Sequence, residues 1–99
     1  MARADVYRLA DGSGLVLDVQ SELLDPFNTR VVVPLMKRTT APRPARGLNP
    51  VFLLGDEEYI LVSQFLSAVP VAALGVPIGS LAAHQDQITR ALDMVFQGV

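Results

Sequence analysis

The chain has 99 residues, of which 51% are hydrophobic and only 18% charged, with a formal net charge of −2 and a pI near 5.1. That length makes one domain with a thin core, and so apolar a composition exceeds what a monomer of this size needs, which points to a two-fold homodimer. The acidic balance disfavours a sequence-independent grip on nucleic acid, so no direct nucleic-acid binding is expected, and the absence of cysteine removes disulfides and thiolate chemistry.

The opening residues, MARADVYRLADG, carry charges where a secretory signal needs an apolar stretch, and no apolar run approaches membrane-spanning length. The expectation is a soluble, cytoplasmic protein with no membrane contact. Val6 to Leu9 is a first short strand, Asp11 to Gly14 a glycine-bearing hairpin turn, and Leu15 to Val19 the returning strand, interrupted by Asp18. Ser21 to Pro26 is a loop in which neighbouring Leu23 and Leu24 cannot both point inward if extended, so one of them is expected in solvent.

Arg30 to Leu35, RVVVPL, is a third strand of strong β-branched character, with Pro34 at an edge or bulge because it cannot donate to a ladder. From Lys37 to Pro50 the sequence KRTTAPRPARGLNP predicts an irregular loop. Lys37, Arg38, Arg43 and Arg46, with Arg30 nearby, concentrate positive charge there; the segment reads either as a solvated loop tip or as a dock for an acidic partner or a phosphate. Val51 to Leu54 and Tyr59 to Val62 form a hairpin around a turn at Gly55 to Glu58. Ala68 to Leu74 is a sixth strand with Pro70 at its rim. Gly75, Pro77 and Gly79 break the pattern before Ser80, a candidate cap.

The last stretch is different. Ile88, Ala91, Leu92, Val95 and Phe96 recur at helical spacing on one stripe, with Asp86, Arg90, Asp93 and Gln97 opposite. The spacing predicts a helix over Gln85 to Phe96 packed on a sheet through Ile88, Leu92, Val95 and Phe96, ended by Gly98 in the left-handed C-cap conformation and followed by an apolar residue, Val99, available for contact. The fold class is therefore mainly β with one C-terminal helix.

Catalytic chemistry has little to draw on. His84 is the single histidine, which excludes a Cys–His pair and a zinc site of ordinary composition. Ser21, Ser63, Ser67 and Ser80 lack the pattern of a nucleophile elbow, and Asp56, Glu57 and Glu58 in a turn do not make a metal site. No glycine-rich phosphate loop is present. The residues favour a binding protein without cofactor over an enzyme.

Taken in order, DVQSELLD (Asp18 to Asp25), RVVVPL (Arg30 to Leu35), LNPVFLLGDEEYIL (Leu48 to Leu61), SAVP (Ser67 to Pro70) and ALDMVFQGV (Ala91 to Val99) resemble the CcdB family of plasmid and chromosomal toxins. The resemblance spans nearly the whole chain. It implies an SH3-like barrel, built from an antiparallel sheet, a small second sheet and one C-terminal helix, assembled as a homodimer. It also implies a type II toxin that binds the A subunit of DNA gyrase, traps the cleaved-DNA complex, and is neutralised by a partly disordered CcdA-like antitoxin.

By that resemblance the gyrase contact comprises Leu23, Leu24, Asp93, Gln97, Gly98 and Val99, and the basic residues Lys37, Arg38, Arg43 and Arg46 are the expected antitoxin anchor. Toxic members resembling this chain carry a tryptophan where Gln97 stands. Losing a buried aromatic anchor commonly costs at least about 2 kcal/mol, roughly thirtyfold in affinity. Two alternatives accompany the gyrase reading. One is a weakly toxic or non-toxic homologue that binds its antitoxin or another target. The other is an endoribonuclease like the MazF toxins, which share the fold and bind RNA where the basic loop lies.

Overall fold

The longest strand, β3 (Thr29–Lys37), joins the two halves of the sheet. On one side it pairs with β2 (Leu15–Asp18), followed outward by β1 (Asp5–Leu9) and β7 (Leu74–Ser80). On the other side its first half pairs with β6 (Ser67–Pro70) and its second half with β5 (Glu57–Leu61), beyond which lies β4 (Val51–Leu54). Every pairing is antiparallel, and the sheet curls into a half-barrel closed by the helix α1 (Gln85–Gln97). These elements come from a computed structural model, which describes residues 2–98.

The change of partner along β3 explains a proline the sequence places at an edge or bulge. Val32 is the last β3 residue paired with β6 and Leu35 the first paired with β5. Pro34 sits between them, within a central strand, and its carbonyl accepts the Val62 N–H at 3.0 Å. Its missing N–H falls in the gap between the two ladders, where no donor is required.

The strand expected over Ala68 to Leu74 ends at Pro70, and a further strand follows it. Val71–Ala73 forms a 3-10 turn that separates β6 from β7. The apparent breakers Gly75, Pro77 and Gly79 belong to β7, an edge strand with irregular register against β1. Gly75 is required there: a Cβ would lie 2.6 Å from the Arg8 carbonyl oxygen. Glu57 and Glu58, read as turn residues, open β5, and the chain reverses at Gly55, whose φ of 65° suits glycine.

The main core fills the concave side. Val6, Leu15, Leu17, Val33, Leu35, Phe52 and Leu61 from the sheet meet Leu81, Ile88 and Ala91. Alternate residues of the same strands, Tyr7, Val16 and Val32, form a smaller cluster with Leu9, Val69 and Leu74 on the opposite face, as the two-residue period of a strand dictates. Among the described residues no helix is long and apolar enough to cross a membrane.

Candidate functional site

Helix α1 runs from a buried beginning to a bare end. Ile88 and Ala91 are buried and Leu92 packs partly against the core, but Phe96, expected on the sheet, is 70% exposed. Val95, in the last turn, is half-buried, so the apolar stripe is only partly covered there and its end at Phe96 faces solvent. Gln97 and Asp93 are exposed as expected. Gly98 takes φ 74° and donates its N–H to the Met94 carbonyl at 3.0 Å, the C-cap predicted for it. Val99 lies outside the described residues.

Leu23 and Leu24 sit in a 3-10 turn, Glu22–Leu24, and both are in solvent, Leu23 at 89% exposure. Leu23 shares a surface hollow with Arg3 and Gln85, beside the first residue of α1. Gln97 stands twelve residues along the same helix, about 18 Å away at 1.5 Å per residue. Within one chain, the leucine pair and the helix tail therefore occupy opposite ends of α1 rather than one patch.

The neighbour of the helix tail is instead the basic loop. Gly47 lies against Met94, so close that a Cβ on Gly47 would stand 2.8 Å from the Met94 sulfur. The loop is held there by two buried polar side chains. Asn49 donates to the Leu61 carbonyl at 3.1 Å and to Gln64 Oε1 at 2.8 Å, while its own oxygen accepts the Ala45 N–H at 3.0 Å; Ser63 donates to the Leu48 carbonyl at 2.6 Å.

The basic residues separate into three kinds. Lys37 and Arg38, at the end of β3, meet Glu57 and Glu58 across the ladder, each at 3.4 Å and half exposed, pairs worth at most about 1 kcal/mol. Arg43 and Arg46 are exposed, and no described carboxylate pairs with either. Arg30 is no part of this surface: it is buried, and its Nε and Nη2 both meet Asp18 Oδ2, the former at 3.1 Å, while Nη1 reaches Asp25. Burial opposes the charge, but the hydrogen bonds and charges of the two carboxylates outweigh it and hold the guanidinium pKa above its ordinary value.

A concavity of about 540 Å³ lies on the face turned away from α1 and includes Val16, Val32, Pro34, Met36 and Val69. Arg8 and Lys37 are its charged residues; no carboxylate or imidazole lines it. Nearby Tyr7 has its pKa raised, first by burial and then by Asp5 and Asp18. Of the four candidate serines, three serve local structure: Ser21 Oγ accepts the Leu23 N–H, Ser80 Oγ accepts the Ala82 N–H, and Ser63 is the loop anchor just described; the fourth, Ser67, opens β6 and lines the concavity. His84 packs its ring against Phe52 at 5.1 Å. Among the described residues no cluster of three metal-ligating side chains occurs.

A family model described as "CcdB protein" matches residues 3–98. Among solved structures, the chain is similar to the Mycobacterium tuberculosis toxin MazF-mt6, with 18% identity, 93% of this chain and 95% of that chain covered, and a TM-score of 0.76. It is also similar to an endoribonuclease in complex with its cognate antitoxin from a mycobacterial species, with 20% identity, 97% and 94% coverage and a TM-score of 0.75. A mycobacterial endoribonuclease gives 21% identity, 97% and 90% coverage and a TM-score of 0.78. At such identities these structures share the fold.

Proposed function

Because this chain belongs to the CcdB family of toxins from toxin–antitoxin modules, we propose that it acts without catalysis, by binding the A subunit of DNA gyrase and trapping that enzyme on cleaved DNA. The observation that carries this reading is the end of α1, where a helix fixed at its base by Ile88 and Ala91 presents Phe96, Gln97 and Gly98 to solvent. A rigid, exposed aromatic on a capped helix is the kind of anchor that contributes most at a protein interface. Phe96 supplies a ring one position before Gln97, where toxic members carry their tryptophan. Asp93 stands on the same exposed end, and a homodimer presents two such ends.

The antitoxin is the second partner. An acidic, partly disordered segment is the complement of Arg43 and Arg46, which have no described carboxylate of their own, whereas Lys37 and Arg38 already lean on Glu57 and Glu58. RNA cleavage needs a general base beside a cation at the scissile phosphate. The groove lined by Arg8 and Lys37 offers cations without a carboxylate or imidazole, which favours binding over cleavage.

The test is a direct titration of the gyrase A subunit with the purified chain, alongside a DNA cleavage assay with whole gyrase. Saturable binding and accumulation of cleaved DNA are expected. Phe96→Ala should weaken binding by about thirtyfold or more, and Gln97→Trp should strengthen it. No binding by either the parent or Gln97→Trp would leave an antitoxin-binding homologue without this target, and cutting of RNA by the purified chain would replace the reading with that of an endoribonuclease.

A further inference from the structure

The turn that carries Leu23 buries none of its own side chains. Leu23, Leu24 and, just beyond, Phe27 all face solvent, so apolar packing does not fix the turn's shape. Polar links to the interior do so instead. Ser21 Oγ accepts the Leu23 N–H at 3.2 Å. Buried Gln20 donates from Nε2 to the Leu24 carbonyl at 3.2 Å, while its Oε1 accepts the Val31 N–H at 3.0 Å and its own backbone N–H is held by Asp18 Oδ1 at 3.0 Å. Asp25, which caps the turn, reaches Arg30, the largest fully buried side chain among the described residues.

Asp18 matches the formal charge of Arg30 and contacts it through both Nε and Nη2. The second carboxylate, Asp25, bonds the remaining Nη1 and adds to that compensation from the rim, where it stays 38% exposed. Its distinctive effect is to tie the far end of the turn to a charge that cannot move, since an ion in the core is held by every group that compensates it. A turn that only joined β2 to β3 would lower its free energy by folding a leucine inward. This one faces its leucines outward and is clamped from beneath, which is how a contact is preorganised so that little conformational freedom is lost on binding.

We propose that the Asp18–Arg30–Asp25 triad is a positioning device, in which Asp25 acts through Arg30 to hold the Leu23–Leu24 turn in the shape its protein target receives. The partner named in the test rests on the gyrase reading above. The positioning itself does not.

The test compares the parent with Asp25→Ala, which leaves the Arg30–Asp18 pair in place, and with Asp25→Asn, which keeps an oxygen acceptor for Nη1. Amide hydrogen exchange on the free proteins should accelerate at least tenfold at Leu23 and Leu24 in Asp25→Ala, with exchange at Ile60 and Ile88 unchanged, and should return toward the parent's rate in Asp25→Asn. In titrations with the gyrase A subunit, Asp25→Ala should weaken binding about tenfold, and Leu23→Ala should cost much less in the Asp25→Ala background than in the parent, because a loosened turn no longer presents the side chain. Unchanged exchange at Leu23 and Leu24 would overturn the proposal. So would faster exchange accompanied by full affinity and an undiminished effect of Leu23→Ala. If the parent itself does not bind gyrase, the functional reading fails, and the exchange comparison decides the positioning alone.

Discussion

The two ends of α1 share one apolar stripe and have opposite fates. At the start Ile88 and Ala91 are sealed with Val6, Leu17 and Leu61 in the main core, whereas one to two turns later Phe96 on the same stripe lies mostly in solvent. Periodicity determines which side of a helix is apolar; the reach of the sheet beneath determines how much of that side is covered. The first end holds the molecule together and the second leaves it a surface to offer.

Substitutions along the helix test this division, and the largest effect belongs at its base. Ile88→Ala should lower stability by about 2–5 kcal/mol, the range for emptying a sealed aliphatic site, measured by urea denaturation. A result under 1 kcal/mol would mean that the base is not the anchor. Next is the point where the tail meets the basic loop: Gly47→Ala introduces a Cβ at φ 80° and 2.8 Å from the flexible Met94 side chain, and should cost about 1–2 kcal/mol, most of it from the left-handed backbone. An unchanged melting temperature would show that the loop can leave the helix freely.

A smaller effect separates both helix ends from the opposite face of the sheet. Tyr7 has its folded pKa raised above the ordinary value of 10.0, so the stability it contributes is complete below pH 10 and is lost as pH rises through the folded value. Tyr7→Phe should flatten that alkaline decline in a series of thermal melts and leave the curve near neutral pH unchanged. At the helix end, Phe96→Ser should shift stability by no more than about 0.5 kcal/mol while weakening the gyrase binding proposed above. A loss of stability comparable to that of Ile88→Ala would erase the distinction between the two ends.

Most strands and the helix are legible in the sequence because alternation and the 3.6-residue period depend on neighbours only. That legibility fails where distant partners decide. Gly75, Pro77 and Gly79 read as breakers, yet an irregular edge strand accommodates them and the approach of the Arg8 carbonyl demands the first of them. Arg30 read as one more basic residue, since nothing local reveals that Asp18, twelve positions earlier, faces it in the interior. An acid interrupting one apolar strand and a cation in the next were the available signal. The candidate contact residues were legible as types, an exposed leucine pair and a capped helix end, but their separation along α1 was not, because distance across a fold is set by how the strands close around it.

That closure has a consequence in time. The sheet is completed when β1 meets β7, pairing Asp5 with Ser80, so a strand made early waits for one made roughly seventy residues later. Hairpins such as β1–β2 and β4–β5 form from segments adjacent in sequence, but closing so long a loop is entropically costly and slow. On the ribosome, the first strand has no outer neighbour until residue 80 has emerged, and α1 is synthesised after that. A chain halted before residue 74 therefore lacks both the outer strand β7 and the helix end that faces solvent, and that exposed end is the last of the described elements to be made.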